Sequence, residues 1–288
     1  MILVTGITGL TGRFLYQKFL ETGKIKQLSC LIRNSSDVSW MKEKPVLCYG
    51  DVNNVQDIVA AMKDVSVVLH LYNIRHSPNI IQACNLIGIK RVIFVNTTGM
   101  YSKFQQYANL YKKLEKNILE SGLDYTIIRP TMIYGNQQDK NISKLVKIAS
   151  RLRVFPIIGE GKSLLQPIFA GDLAEAIYQA SQRDVSIHKT YNVAGSEPLS
   201  YEVIIKAIYY AMNKEVRFIH IPYKLALVAG KIGDILPNGL ISTERLLRLS
   251  EDKCFNYSNA TEDLGFIPKS FYEGIRLEVE CIKAANII

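Results

Sequence analysis

Three glycines open the chain at a spacing that could hold a phosphate chain. An apolar run, Ile2 to Thr5, stops at Gly6; Gly9 and Gly12 follow, and an amphipathic run begins at Phe14 and reaches Leu20. The order is strand, glycine turn, helix. The first glycine allows the tight turn, the second offers a diphosphate backbone with no Cβ, and the third lets helix and strand pack closely. The amides at the helix start, with the positive end of its dipole, would then hold the diphosphate. Gly6, Thr8, Gly9, Leu10, Thr11 and Gly12 are the expected contacts. The spacing is GxxGxxG, not GxGxxG, and glycines also make ordinary turns. The position directly behind an apolar strand is what carries the dinucleotide reading.

Further residues bear on that reading. In a dinucleotide-binding sheet the end of the second strand faces the adenosine ribose. An acid there suits the 2′-hydroxyl of NAD, and an arginine suits the 2′-phosphate of NADP. Here the strand ends Leu31-Ile32-Arg33-Asn34, with no acid before Asp37. A guanidinium is the natural phosphate partner, so NADP is preferred, with NAD as the alternative. Arg33 is also simply the first polar residue after a buried strand. Arg13 either reaches a phosphate or sits on the helix surface. His70 lies in an apolar strand and reads as a core histidine.

The elements that must position these residues alternate. Strands are expected at Gln27 to Arg33, Pro45 to Gly50, Val65 to Tyr72, Arg91 to Thr97 and Tyr125 to Arg129, with helices between them. The last of these helices, Gln105 to Ser121, should be capped by Gly122. Alternation of this kind predicts a parallel, doubly wound sheet. After Pro130 it weakens. Helices are expected at 140–153, 171–182 and 201–212, a short strand at Thr190 to Ala194, and a mostly helical tail with loops around Pro237 and Pro268.

Bulk properties narrow the function classes. The chain has 288 residues, of which 48% are hydrophobic and 21% charged, which excludes a disordered protein. No apolar run reaches the roughly 18 residues of a membrane span. The net charge of +9 is spread out, which favours solvated faces and attraction of anionic nucleotides over nucleic-acid binding. Five cysteines form no CxxC pair, and neither a metal site nor a signal peptide is expected. A reducing cytoplasm is the expected compartment.

The glycine motif, Thr97-Thr98-Gly99-Met100-Tyr101, and Arg129-Pro130-Thr131-Met132-Ile133-Tyr134-Gly135 together resemble the short-chain dehydrogenase/reductase superfamily. The likeness is to its extended branch of sugar-nucleotide epimerases and dehydratases, and it runs along most of the chain. It implies an α/β fold: a Rossmann-type doubly wound parallel sheet with a smaller, mostly helical C-terminal substrate lobe. Residues 1–135 would form the NAD(P)-binding domain and 136–288 the substrate lobe, with part of 163–196 returning to the first. The resemblance places Asp51 and Val52 at the adenine, though Asp51 also reads as a turn or helix-capping residue. It runs the backbone of Leu71, Tyr72 and Asn73 alongside the cofactor, and sets Pro130 and Thr131 against the nicotinamide carboxamide.

The same resemblance assigns chemistry. Thr97 would polarise a substrate oxygen. Thr98 stands where dehydratases of the family carry an acid, which disfavours a sugar 4,6-dehydratase. Both threonines also suit a strand end and a turn. The family's Tyr-x-x-x-Lys places the tyrosine at Tyr107 and the lysine at Tyr111. Lys112 is one step further, about 100° around an α-helix. A local bulge could bring Lys112 into place. The implied function is therefore a nucleotide-sugar epimerase or reductase using Thr97, Tyr107 and Lys112. The alternative is an NADP-binding sensor or assembly protein with little turnover, and Tyr107 and Tyr111 are then only an aromatic pair on one helix face. Thr98, Tyr134, Gln166 and Arg248 are expected substrate contacts, with Arg245 and Arg248 otherwise on a solvated face. Asp172 and Ser200 are expected helix caps. The implied partner is a small-molecule substrate, and the protein a monomer or homodimer.

Overall fold

A computed structural model describes residues 1–235 and 242–288; the loop expected around Pro237 lies outside the described residues. In the first part, strands and helices alternate as β1 (Ile2–Thr5), α1 (Leu10–Glu21), β2 (Leu28–Ile32), β3 (Val46–Tyr49), α2 (Val55–Ala61), β4 (Val67–His70), α3 (Ser77–Ile87), β5 (Arg91–Val95), α4 (Ala108–Leu119) and β6 (Asp124–Pro130). Then follow β7 (Ile133–Tyr134), α5 (Ile142–Arg151), β8 (Val154–Ile158), β9 (Leu164–Leu165), β10 (Ile168–Phe169), α6 (Ala170–Gln182) and β11 (Lys189–Val193). The tail holds β12 (Leu199–Ser200), α7 (Tyr201–Ala211), β13 (Arg217–Ile221), α8 (Tyr223–Ile235), α9 (Thr243–Leu249), α10 (Ser258–Leu264) and α11 (Phe271–Ala284).

Seven strands form one sheet in the order β11-β6-β5-β4-β1-β2-β3. Every neighbouring pair is parallel. This is the Rossmann-type doubly wound sheet. Strands buried on both faces need continuous apolar runs, and β1 and β2 are buried at every position. The order reverses between β1 and β4, and ligands of such sheets bind at that crevice. One face of the sheet packs against α1 and α6 in a core that includes Leu15, Phe19, Leu173 and Ile177. The other face packs against α2, α3 and α4 through Ile58, Ile80, Leu114 and Ile118.

The segment after β7 does not stay apart from this sheet. Strand β11 pairs with β6 along its length, and α6 covers the same face as α1. Arg91 ties these pieces together. Its guanidinium donates to the carbonyls of Asp124 and Ala180 at 2.8 Å each, to Thr126 Oγ1 at 2.8 Å and to Ser186 Oγ at 2.6 Å.

A third core joins α5, α7 and α11 around Tyr134, Val146, Ile208 and Ile275. Between its helices run two-stranded pairs that alternation alone did not predict: β8 with β13, β9 with β12, and β7 with β10. Four of the six strands are two residues long, and β8 and β13, at five residues each, are partly exposed, so none shows the long buried run that marks β1 and β2. Ser200 caps α7 as expected, accepting the Val203 amide.

Three boundaries differ from expectation. Helix α4 begins at Ala108, not near Gln105, because the Ser102 hydroxyl accepts the amides of Phe104 and Gln105 and holds a turn there. Tyr107 therefore flanks the helix. Its C-cap is Glu120, and Gly122 turns the chain just beyond, at φ +70°. Asp172 is not a helix cap, since α6 starts at Ala170; its carboxylate instead accepts the Lys269 amide at 2.7 Å and the Lys269 ammonium at 3.0 Å.

Glu278 of α11 is fully buried in the third core beside Asp139. Burial first, and the Asp139 charge second, push its carboxyl up to about 9. Its folded-state value thus lies above the unfolded one, so the folded chain keeps a proton that the unfolded chain has lost. Stability should fall as pH rises from about 4 to about 9. Glu278→Gln has the same shape and no proton to lose. Denaturant unfolding should show the variant more stable by about 2–5 kcal/mol at pH 8 and nearly equal to wild type at pH 4.5. Parallel pH profiles would refute this account.

Candidate functional site

The crevice begins at the turn after β1. Gly6 has φ +82°, and a Cβ there would lie 2.9 Å from the Tyr72 amide nitrogen. A Cβ on Gly12 would overlap the carbonyls of Gly6 and Ile7. Two of the three glycines are therefore demanded by geometry, one for conformation and one for the approach of α1 to β1. Gly9 flanks α1 and has no side chain with which to cap it, and no acid lies in the first turn. The positive end of α1 thus faces the switch point with neither a side-chain cap nor an acid in its first turn.

A pocket opens beside this turn, lined by Gly6, Thr8, Arg33, Ser36, Asp51 and Tyr72 among others. Arg33 is exposed at its rim. Asp37, the first acid after Arg33 along the chain, is turned to Ser39, whose hydroxyl and amide donate to it at 2.6 and 2.9 Å and hold its carboxyl below the usual range. Arg13 lies with its guanidinium 4.6 Å over the Trp40 ring. Asp51 accepts from the Asn53 amide and side chain at 2.8 and 2.9 Å, while Asn54 caps α2, so the helix-capping alternative for Asp51 falls away. Val52 is held from behind, its carbonyl accepting from Asn79.

The other wall follows β4. His70 is fully buried, and burial lowers its imidazole to about 3, so the ring is neutral. The Asn73 carbonyl can only accept, at 3.3 Å from Nε2, so Nε2 carries the proton. Nδ1 then accepts from the Thr5 hydroxyl at 2.8 Å. His70 is the expected core histidine, and it ties the end of β1 to the loop after β4. The Leu71 amide donates to the Thr5 carbonyl, and the exposed Tyr72 ring packs on His76. In the same loop Arg75 lies 4.2 Å over the ring of Tyr107.

Thr97 ends the β5 segment, where its hydroxyl accepts the Gly99 amide at 3.0 Å. An accepting hydroxyl keeps its proton for another partner. Tyr107 stands half-exposed at the start of α4, with Tyr111 at 6.4 Å between ring centroids. Tyr111 packs against the second core. Helix α4 runs as regular α-helix, and the Tyr111 amide donates to the Tyr107 carbonyl at 3.0 Å. No bulge occurs, and Lys112 is exposed one step round the helix. The expectation that Lys112 takes the lysine's place is therefore corrected.

Three expected substrate contacts are also turned inward. Thr98 is buried and donates to the Pro130 carbonyl at 3.1 Å. Tyr134 is buried against Phe169 and Phe271, where lost solvation raises its hydroxyl far above the ordinary range. Gln166 is buried, donating to the Gly195 carbonyl at 2.8 Å and accepting the Phe255 amide at 2.9 Å. Each is held by a partner far away in sequence, which motif position does not reveal. Thr131 donates to the Gln166 carbonyl at 2.5 Å, and Pro130 closes β6. Arg248 lies on α9, 3.9 Å from Glu244.

Two groupings were missed from sequence. Arg129 forms a fork on Glu115 at 2.5 to 3.1 Å, and Asn96 donates to the same carboxylate at 2.6 Å. Burial pulls the Arg129 guanidinium down, but the Glu115 bond and charge prevail and raise it. The ends of β5 and β6 are thereby fixed to α4. Residues 251–255 form a strap: Glu251 accepts from Ser102 Oγ at 2.5 Å and the Lys103 amide at 2.7 Å, and Phe255 packs on Tyr101. Asp252 and Lys253 hold Leu164 from the same strap. Among the described residues no cluster of three or more His, Cys, Asp or Glu side chains could hold a metal ion, and no helix is long and apolar enough to cross a membrane.

A family model described as NAD(P)H-binding matches residues 6–150. The N-acetyl-alpha-D-glucosaminyl-diphospho-ditrans,octacis-undecaprenol 4-epimerase of Escherichia coli O157:H7 is 23% identical over 265 residues, covering 82% of this chain and 79% of that protein. The mitochondrial NADH dehydrogenase (ubiquinone) 1 alpha subcomplex subunit 9 of Arabidopsis thaliana is 24% identical over 262 residues, covering 82% of this chain and 63% of that one. The structure of a UDP-glucose 4-epimerase from Thermotoga maritima with UDP-glucose superposes with a TM-score of 0.76 over 99% of each chain, at 17% identity. The last likeness shows a shared fold.

Gly12→Ala should cost about 1–3 kcal/mol of stability, because the added methyl must push α1 away from β1. NADPH affinity, read by fluorescence titration, should fall by more than the stability loss alone explains, since the helix amides move with α1. An unchanged affinity would remove the helix terminus from the binding account.

Proposed function

Because the chain belongs to the NAD(P)H-binding family, we propose that it is an NADP(H)-using epimerase or reductase of the extended short-chain dehydrogenase type. Its proposed substrate is a nucleotide sugar or a related glycosyl diphosphate. The observation that carries the cofactor reading is the uncapped start of α1 at the sheet's switch point, beside a rim that offers Arg33 and Ser36, with Asp37 turned to Ser39. The substrate reading is supported by the Escherichia coli relative, whose name describes a 4-epimerase of a sugar diphosphate. The net charge of +9 favours anionic substrates generally.

The dinucleotide fits the residues present. The amides of Leu10, Thr11 and Gly12 would hold its diphosphate, Asp51 and Val52 would flank the adenine, and Arg33 would meet a 2′-phosphate. The loop Leu71 to Asn73, Pro130 and Thr131 would lie along the remainder. When bound, the nicotinamide supplies the exchange of a hydride with a sugar carbon. The chain supplies the rest. Tyr107 would move the proton of the reacting hydroxyl. The Thr97 hydroxyl, with its proton still available, would hold the same oxygen. The fork of Arg129 on Glu115 would keep Thr97 and Tyr107 in register, because it joins the ends of β5 and β6 to the helix that Tyr107 begins.

Fluorescence titration should show NADPH bound more tightly than NADH. Arg33→Glu should reverse that order, with NADPH affinity falling about 10- to 100-fold through the lost charge-assisted contact. Incubation with UDP-glucose, UDP-galactose and UDP-N-acetylglucosamine, followed by NMR, should then reveal an epimer with no net change at 340 nm, or a reduced sugar with loss of that absorbance. Binding of neither cofactor would overturn the reading. Cofactor binding without conversion of any glycosyl diphosphate would favour a non-catalytic NADP-binding protein, a role that the exposed Lys112 and the tyrosine at position 111 leave open.

A further inference from the structure

We propose that Arg75 is a positioning residue that serves Tyr107 in place of the family's motif lysine; the inference rests on the function proposed above. Tyr107 stands where the family's tyrosine stands, yet Tyr111 occupies the lysine's position and Lys112 points to solvent. A regular helix cannot present position 112 on the face of position 107, because the two are five residues apart and the face repeats at four.

A cation arrives instead from another element. Arg75 belongs to the short turn Ile74–His76 that follows β4, and its guanidinium sits 4.2 Å over the Tyr107 ring. The turn is built to deliver it. The Asn73 side chain accepts the Arg75 amide at 3.1 Å, and the Asn73 carbonyl accepts from buried His70. Ile74, the residue between, is buried in the second core, which anchors the turn against α3 and α4. Among the described residues Arg75 has no ion pair with a carboxylate, so its charge is not neutralised by the protein.

The placement has two physical consequences. A guanidinium on the ring face restrains Tyr107, which is otherwise half-exposed just ahead of α4. A positive charge beside a phenol that must become anionic while it moves a proton lowers the energy of that intermediate charge state. The proton passes between Tyr107 Oη and the sugar hydroxyl, and no bond forms or breaks at Arg75. With the dinucleotide held along the loop Leu71 to Asn73, the same charge would oppose the positive ring of oxidised nicotinamide and tolerate the neutral reduced ring.

The last consequence gives a test that needs no substrate. Affinities for NADPH and NADP+ are measured by titration calorimetry for wild type, Arg75→Met, Arg75→Lys and Lys112→Met. Loss of the charge in Arg75→Met should shift the ratio of the two affinities about threefold or more toward NADP+. Arg75→Lys should restore most of the wild-type ratio, and Lys112→Met should leave it unchanged. With any glycosyl diphosphate that is turned over, Arg75→Met should lower kcat at least about tenfold with KM within about twofold. An unchanged ratio in a variant that still binds both cofactors overturns the role of Arg75 and leaves the cofactor reading intact. A ratio that moves equally in Lys112→Met overturns it as well. Failure of wild type to bind either cofactor overturns the function on which the inference rests.

Discussion

The site depends first on the close approach of α1 to β1, and the remainder follows from it. Gly12 lies so near the carbonyls of Gly6 and Ile7 that a single methyl would not fit. That contact sets the angle at which α1 leaves the sheet. It thereby aims the helix amides at the gap between β1 and β4, where neighbouring connections run to opposite faces. Gly6 completes the arrangement from the other side, since its missing Cβ admits the Tyr72 backbone. The turn and the loop after β4 are thus two walls of one crevice, held apart by a distance that only glycine permits.

The second half of the site depends on buried polar bonds rather than on close packing. The Glu115 carboxylate is nearly inaccessible and is shared by Arg129 and Asn96. A buried charge of this kind is tolerated only when its partners satisfy it fully, and removal of one partner leaves the other stranded. The three residues come from α4, β6 and the end of β5, so the arrangement acts as a gauge of their separation. The strap at 251–255 adds a longer connection. Through Glu251 it grips the Ser102 turn that delays the start of α4, and through Asp252 and Lys253 it grips Leu164. The position of Tyr107 is therefore set jointly by the sheet and by residues near the end of the chain.

What was legible in the sequence is what is local. The glycine turn, the buried strands and the Ser200 cap each depend on residues a few positions apart, and each was readable. His70 could be placed in the core because its neighbours in the strand are apolar. The inward turn of Thr98, Tyr134 and Gln166 was not readable, because the atoms that hold them lie 29 to 137 positions away, in Pro130, Phe271, Gly195 and Phe255. The start of α4 was misplaced for a related reason: Ser102 competes for the amides that a helix would have used. Arg75 carried no signal at all, since its significance arises only from a stack on a residue 32 positions later in a different element. Of the strand pairs in the third core, β7 with β10 and β9 with β12 are only two residues long, and β8 and β13, though five residues long, are partly exposed and stand outside the strand-helix alternation.

The return of the chain to β6 sets a schedule for biosynthesis. Strand β11 completes the sheet only when Val193 has been made, some sixty residues after Pro130. At about 5–20 residues per second, the flank of β6 remains bare on the ribosome for roughly 3 to 13 seconds. An unpaired strand edge of that kind invites pairing with other nascent chains. During this interval the emerging polypeptide is a natural client for a holding chaperone, and a stop codon placed at the end of β6 would leave a fragment more prone to aggregate than to bind anything.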